Sequence, residues 1–354
     1  MPTISDVARR AGVSVATASR VLSRSAPVSP ELTQRVMEAA SQLNYTPSSA
    51  RRGNRSSGIV GLCIPSISQH PFFSDVARGV EDTCSNAGYT MILCDTDGFE
   101  QKERTYLHML RSRRVAGLVI VPVSGRGKHI REIMGERFPV VLVDRRLNDL
   151  DAPAVLIDNV ATTHRAVEYL LGLGHTRIGM IAGPPELPMV QDRCQGYRNA
   201  LREHGLEEDP RLIAAGAFTL EWGYEATVQF LSGPRPPTAI FSGSLGLTQG
   251  AVSALRDMNL RVPDDVSLLA FDDIAWFRLI QPPLTAIAQP SYRMGSLAAE
   301  LLVDMLETGR HPEQPVLLVE TLFRVRESCA PPPPQTVAGQ GGKELGKRTF
   351  EHTI

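Results

Sequence analysis

The sequence predicts a small all-α head joined to a large α/β body made of two doubly wound, parallel-sheet subdomains. Three observations carry this reading. Apolar residues up to about position 46 recur at helical spacing in three short stripes; beyond residue 58, continuous apolar runs alternate with amphipathic stretches; and charge is shared unevenly between the two parts. The chain has 354 residues, 42% hydrophobic and 21% charged, which suits packed domains with a sizeable core. Its net charge is −1, yet residues 1–57 hold eight arginines, no lysine and only Asp6, Glu31 and Glu38 as acids. That head is therefore +5 and the remainder −6. A basic head on an acidic body points to a polyanion as the partner of the head alone.

Thr3 followed by Asp6 has the form of an N-cap with an acidic partner three residues on. Ile4, Val7, Ala8 and Ala11 then fall on one helical stripe, and Gly12 ends the helix because glycine tolerates a left-handed cap. Ser14 can cap a second helix beginning at Val15, with Ala18, Val21 and Leu22 facing inward. Ser29-Pro30-Glu31 supplies cap, first-turn proline and first-turn acid for a third, whose apolar stripe is Leu32, Val36, Ala39, Ala40 and Leu43. Two short helices joined by a tight glycine turn make a helix-turn-helix. Once Ala18 and Val21 are buried, Val15, Ala16, Thr17 and Arg20 share the remaining face of the second helix. Small apolar groups there can touch thymine methyls in a major groove, and an arginine can reach guanine O6 and N7. Thr17, Ser19 and the helix N-terminus are placed to bond phosphate.

In the body the apolar runs include IVGLCIP (59–65), TMILCD (90–95), GLVIVPV (117–123), VVLVD (140–144), RIGMIAG (177–183), TAIFSGS (238–244) and VSLLAFDD (266–273). Between them lie helix-like segments such as Phe73–Ala87, Glu100–Arg114, Val160–Leu171, Asp192–His204 and Gly250–Met258. Continuous apolar strands separated by helices imply parallel sheets covered on both faces, and such sheets bind ligands beyond the carboxyl ends of their strands. Two sheets facing each other enclose a cleft. Phe72, Phe73 and Phe218, with Trp222 or Trp276, are candidates to stack on the apolar faces of a ligand in it.

TISDVARRAGVSVATASRVLS followed by VSPELTQRVMEAASQLNYTP resembles, over residues 3–47, the DNA-binding head of the LacI/GalR family of bacterial repressors. The resemblance implies base readout by Val15, Ala16 and Arg20, with Ser14, Thr17 and Ser19 toward phosphates. It extends through HPFFSDVARGVEDTCSNAGYTMILCDTD, RRVAGLVIVP, LGLGHTRIGMIAGP, RVPDDVSLLAFDD and PPLTAIAQPSYRMG to a body of the periplasmic-binding-protein type. It thus implies a head at 1–47, a linker at 48–57 and an effector-binding and dimerisation core at 58–329, crossing between subdomains near 159, 287 and 317. Arg193, Asp272 and Asp144 match effector-contacting or cleft positions of the family; an arginine and two carboxylates at strand ends can bond the hydroxyls of a sugar-like effector. The family usually has Asn-Asp where this chain has Ser244-Leu245, so the asparagine that often bonds the effector is replaced by Ser244. The implied partners are a near-palindromic double-stranded operator, a small polar effector and a second copy of the chain.

Other classes are disfavoured. No P-loop, H-E-x-x-H, G-x-S-x-G or complete G-x-G-x-x-G occurs, and the eight histidines show no metal-ligand spacing, so neither catalysis, a cofactor nor a metal is expected. The N-terminus lacks the pattern of a signal peptide, and no run of about 18 apolar residues occurs to span a membrane. The five scattered cysteines fit reduced core thiols in a cytoplasm. Residues 330–354, rich in proline and glycine, are expected to be disordered, and without a C-terminal leucine heptad a dimer is favoured over a tetramer.

The linker departs from the family. There, a segment after Y-x-P-N folds on the operator into a short hinge helix ending A-R-x-L, whose leucine wedges into the minor groove. Here YTPSSARRGNRSSGIVG has Ser48 for the asparagine and Gly53 for the leucine. Glycine costs a helix about 1 kcal/mol relative to alanine and has nothing to insert. Arg51, Arg52 and Arg55 are then expected to hold the DNA backbone or a narrow minor groove electrostatically. Removing Arg51 and Arg52 together by alanine substitution should lower DNA affinity and flatten its dependence on salt by about one unit of log–log slope for each phosphate no longer neutralised. Titrations at several salt concentrations measure this; unchanged affinity and slope would remove both arginines from the interface.

Overall fold

The computed structural model describes residues 4–23, 28–43, 58–68 and 70–332. The cap at Thr3, the linker with Arg51 and Arg52, and most of the C-terminal tail lie outside these. The described chain forms two compact units, one within residues 1–56 and one within 57–354.

The first unit holds α1 (Ile4–Ala11), α2 (Val15–Ser23) and α3 (Pro30–Gln42). Its core is Val7, Ala8, Ala11, Ala18, Val21, Val36, Ala39 and Ala40, edged by Ile4, Val13, Leu22, Val28 and Leu43. Gly12 takes φ +63°, so the Val13 N–H turns back onto Ala8 O at 3.0 Å and ends α1 tightly. Arg35 on α3 donates to Ala11 O at 2.6 Å, placing a cation on the carbonyl end of α1, where the helix dipole favours it. Ser14 caps α2: its Oγ accepts from Thr17 N at 3.0 Å. Ser29 stands at the N-cap of α3, but its side chain makes no capping bond; there the first-turn proline sets the start.

The second unit contains two six-stranded sheets. The first collects β1 (Ile59–Ile64), β2 (Thr90–Asp95), β3 (Gly117–Ile120), β4 (Val140–Val143), β5 (Ala154–Leu156) and, from far along the chain, β11 (Val316–Leu318), in the order β11-β5-β4-β3-β1-β2. The second collects β6 (Ile178–Ala182), β7 (Ile213–Ala215), β8 (Ala239–Ser242), β9 (Ser267–Phe271), β10 (Thr285–Ala288) and β12 (Leu322–Arg324), in the order β12-β10-β9-β8-β6-β7. All pairings are parallel except β10 with β12, so the second sheet has one antiparallel edge. The central strands β3, β4, β6, β8 and β9 are buried along their whole length. That is why they read as unbroken apolar runs.

The helices of this unit are α4 (Pro71–Asn86), α5 (Glu100–Ser112), α6 (Lys128–Met134), α7 (Asn159–Gly172), α8 (Pro188–Glu203), α9 (Leu220–Leu231), α10 (Leu245–Asp257) and α11 (Ser291–Thr308). α8 and α10 start earlier than periodicity suggests. Pro188 opens α8 at its first turn, and Ser244 opens α10 as N-cap. The chain passes between sheets after β5, after β10 and after β11, at 157–158, 289–290 and 319–321. Positions 287 and 317 lie inside β10 and β11, so the later two crossings come a few residues beyond the expected places. Residues 330–332 do not belong with a disordered tail. Ala330 O meets His175 Nε2 at 2.9 Å and Ala330 N donates to Ser267 Oγ at 3.1 Å.

α11 returns to cover the first sheet beside α4, and two glycines set that contact. A Cβ on Gly79 would lie 2.2 Å from Tyr292 O, and one on Gly295 2.2 Å from Val76 O. Only hydrogen fits between the two backbones. Gly295→Ala should force the helices apart and lower stability by about 1–3 kcal/mol, the usual cost of overpacking. Chemical denaturation reads this as a lower midpoint; an unchanged midpoint would mean the pair can separate without loss.

Candidate functional site

Two surfaces concentrate the residues singled out by sequence. On α2, Val15 is 45% exposed although apolar, and Arg20 and Ser19 are exposed too. The Ser14 and Thr17 hydroxyls lie 2.8 Å apart at the helix N-terminus. Ala16 lies on the same helix, but its side chain is outside the described set. α2 therefore presents an apolar residue, hydroxyls and a cation from one short helix.

In the body, a cavity of about 610 Å³ lies between the carboxyl ends of the two sheets. Its lining includes all seven residues expected to meet an effector: Phe72, Phe73, Asp144, Arg193, Phe218, Ser244 and Asp272. Each follows from the topology. Phe72 and Phe73 open α4 after β1, Asp144 directly follows β4, Phe218 follows β7, Ser244 follows β8 and Asp272 directly follows β9. Arg193 projects from the second turn of α8. Asp144 and Asp272 occupy equivalent places in the two sheets and share an uncommon backbone, φ 67° and 75°. Left-handed geometry at a residue other than glycine costs energy, and such residues gather at ligand sites.

Arg193 is a buried cation with its bonds fixed. Its Nε donates to Asn159 Oδ1 at 2.8 Å and Nη1 to Gly243 O at 2.7 Å, while the guanidinium lies 3.5 Å from the centre of the Phe271 ring. Burial lowers the pKa of this guanidinium, and the nearby Asp272 and Asp144 carboxylates oppose the shift. The two carboxylates are driven apart. Burial raises Asp144 above the usual range, only partly offset by Arg145 and Arg193. Burial alone would also raise Asp272, but His70, Arg193 and the amide of Gln289 outweigh it and hold its carboxyl below the usual range.

Sequence reasoning missed three members of this network. His70 Nε2 meets Asp272 Oδ2 at 3.0 Å across the cleft, while its Nδ1 accepts from Phe72 N at 3.2 Å and caps α4. A neutral His70 accepting at Nδ1 carries its proton on Nε2, so it donates to Asp272. Gln289, at the second crossing, donates to Asp272 Oδ1 at 2.7 Å. Asn159, at the start of α7, anchors Arg193. A polar residue just before Pro71-Phe72-Phe73 and polar residues at crossings were the available signals. Two candidates fail. Trp222 packs on Gly216, and Trp276 lies edge-on to Phe277 at 4.6 Å; both are half-buried against the core of the second sheet and neither lines the cavity. Phe218 does line it, its ring seated where a Cβ on Gly183 would be.

A helix-turn-helix unit followed by two facing α/β subdomains with a polar cleft defines a ligand-responsive DNA-binding regulator. Residues 3–48 match the family of bacterial regulatory proteins named for lacI, and residues 167–329 match the periplasmic binding protein-like domain. The chain belongs to the lacI family of DNA-binding transcriptional regulators. It is 38% identical to the HTH-type transcriptional repressor CytR of Escherichia coli strain K12 over 315 residues, 87% of this chain and 91% of that one. It is 35% identical to the ribose operon repressor of the same strain over 328 residues, 91% and 98% of the two chains. A crystal structure of a LacI family transcriptional regulator from Enterococcus faecium with bound ribose superposes with TM-score 0.68 at 28% identity, covering 77% of this chain and 99% of that one. No described helix is long and apolar enough to cross a membrane.

The depressed pKa of Asp272 gives a pH signature. Its contribution to stability is complete above the unfolded carboxylate value of about 3.9 and disappears as pH falls through the lower folded value. The stability difference between wild type and Asp272→Asn, measured by urea unfolding without ligand, should hold steady from neutrality to about pH 5 and shrink below about pH 4. A difference that grows on acidification would reverse the assignment.

Proposed function

We propose that the protein is a repressor whose grip on its operator is set by a small polyhydroxylated ligand, a sugar or sugar derivative, held in the cleft. The carrying observation is that Arg193, Asp144 and Asp272 converge with Phe72, Phe73 and Phe218 on one cavity. Charged groups of both signs bond vicinal hydroxyls, and flat rings cover the apolar faces of a sugar. The ribose operon repressor and the ribose-bound relative support this class of ligand. Ser244 lines the same wall, its hydroxyl accepting from Leu247 N at 3.5 Å as the cap of α10. On this reading residues 1–47 bind DNA, 48–57 connect and 58–329 bind ligand and dimerise. The protein acts on DNA in the cytoplasm as a homodimer and catalyses nothing.

Val15, Ala16 and Arg20 read base edges in each half of a near-palindromic operator, while Ser14, Thr17 and Ser19 fix the helix on phosphates; Arg51 and Arg52 reach the backbone. A dimer has two-fold symmetry, and its operator shares it. Ligand bound between the subdomains changes how they meet and thereby the spacing of the heads, a coupling worth about 1–3 kcal/mol in allosteric proteins.

Two substitutions test the reading by band-shift titration, with sugars first ranked by the thermal shift they produce. Arg20→Ala should weaken the specific site by about 1–3 kcal/mol and random DNA much less. Arg193→Ala should leave operator affinity without ligand in place and abolish the ligand response. Equal losses on specific and random DNA would reduce Arg20 to a phosphate contact, and a normal ligand response in Arg193→Ala would move the effector elsewhere.

A further inference from the structure

We propose that helices α7 and α8 carry a partly exposed divalent metal site, of the zinc class, ligated by His164, Glu168 and Glu203 with His204 beside them. Histidine spacing alone does not show the site, because its ligands mix histidine with glutamate and are divided between two helices. His164 and Glu168 stand four apart on one face of α7; Glu203 ends α8 and His204 caps it. Folding brings one ligand atom from each of His164, Glu168 and Glu203 within 4.8 Å of the others. His164 Nε2 lies 2.7 Å from Glu203 Oε2, and His204 Nδ1 lies 3.1 Å from Glu168 Oε1.

The framework is rigid. α7 and α8 touch backbone to backbone: a Cβ on Gly196 would lie 2.3 Å from Val160 O and 3.0 Å from His164 N. Ligands on packed helices hold their geometry better than ligands on loops. Zinc bonds of about 2.0–2.2 Å place tetrahedral ligands roughly 3.3–3.6 Å apart, so the shortest contact widens and the longest narrows by rotamer adjustment.

Charge points the same way. Among the described residues neither Glu168 nor Glu203 pairs with an arginine or lysine; each faces an imidazole. The nearby arginines are committed elsewhere, Arg165 to Thr321, Arg198 to Glu208 and Arg202 to Asn199. An imidazole balances a carboxylate only when protonated. A divalent ion balances both carboxylates and uses the His164 lone pair as well, while His204 Nδ1, 3.2 Å from Ala200 O, stays a donor beside the site. Mixed imidazole and carboxylate donors suit zinc and its first-row neighbours rather than calcium or magnesium, which take oxygen. The same helix pair supplies Arg193, which lines the cleft, and Asn159, which anchors it, so an ion here clamps the two elements that hold the buried guanidinium.

The test uses the full chain, stripped with chelator and titrated with Co²⁺ and Zn²⁺. The expected result is uptake of one Co²⁺ per chain with the visible absorption of a four-coordinate ion, displaced by Zn²⁺, and a zinc-dependent rise in thermal midpoint. His164→Ala and Glu203→Gln should each weaken uptake at least about 10-fold and remove the absorption band, with the metal-free midpoint and circular dichroism retained. His311→Ala, an exposed histidine elsewhere, should change neither. No uptake, or uptake that survives both His164→Ala and Glu203→Gln, overturns the site.

Discussion

A buried guanidinium organises the ligand-binding half of this protein. Arg193 is 3% exposed, and a cation so placed persists only if its hydrogens are matched and its charge is answered. Each requirement reaches into a different part of the chain. Asn159 at the first crossing and the carbonyl of Gly243 beyond β8 take its hydrogens, Phe271 of β9 lies under its plane, and Asp144 and Asp272 from the two sheets answer its charge. The cleft is therefore one electrostatic unit assembled from both subdomains. Shifting either sheet relative to the other changes the field at Arg193, which gives a ligand bonded there a physical handle on subdomain closure.

The two carboxylates are chemically similar and are made different by their surroundings. Asp272 accepts from His70 and Gln289, whereas Asp144 has a 3.5 Å contact to Arg145 Nε. Arg145 Nε itself has no hydrogen-bond partner among the described residues, and neither does Gln289 Oε1. Buried polar groups without partners are costly in a finished core and commonplace at the rim of a binding site. A second cavity of about 420 Å³ beside edge strand β11 shares Asp144 and Met189 with the cleft but is otherwise mainly aliphatic. Its charges, Arg146 paired with Asp192 at 2.9 Å and the neighbouring Asp151 and Asp158, come without the aromatic rings that mark the larger one.

Much of this was legible in the sequence, for reasons that also explain what was not. Strands buried on both faces must be apolar throughout, so β1, β3, β4, β6, β8 and β9 announced themselves. β5, β7, β11 and β12 are three residues each, too short to show a run, and all but β5 lie at sheet edges where polar neighbours are tolerated. All seven cleft residues came together because strand ends of parallel sheets form one surface, a consequence of topology that needs no side-chain detail. Trp222 and Trp276 were misplaced because an aromatic ring serves a core as well as a sugar, and composition cannot separate the two. His70, Gln289 and Asn159 were missed because their roles exist only across the cleft or at a crossing. The pairing of His164 with Glu203 is of the same kind, joining positions 39 apart in the chain.

The left-handed backbone at Asp144 and Asp272 also constrains how relatives of this protein can diverge. A side chain branched at Cβ sits poorly at such a position, which favours aspartate, asparagine and glycine there. Those two sites can trade charge for an amide or surrender the side chain at little backbone cost, whereas a β-branched aliphatic side chain there would be strained. The flanking walls carry no such backbone constraint: His70 and Ser244, which also line the cleft, are extended. The pair of acids is thus the part of the cleft whose backbone leaves the least freedom in side-chain shape.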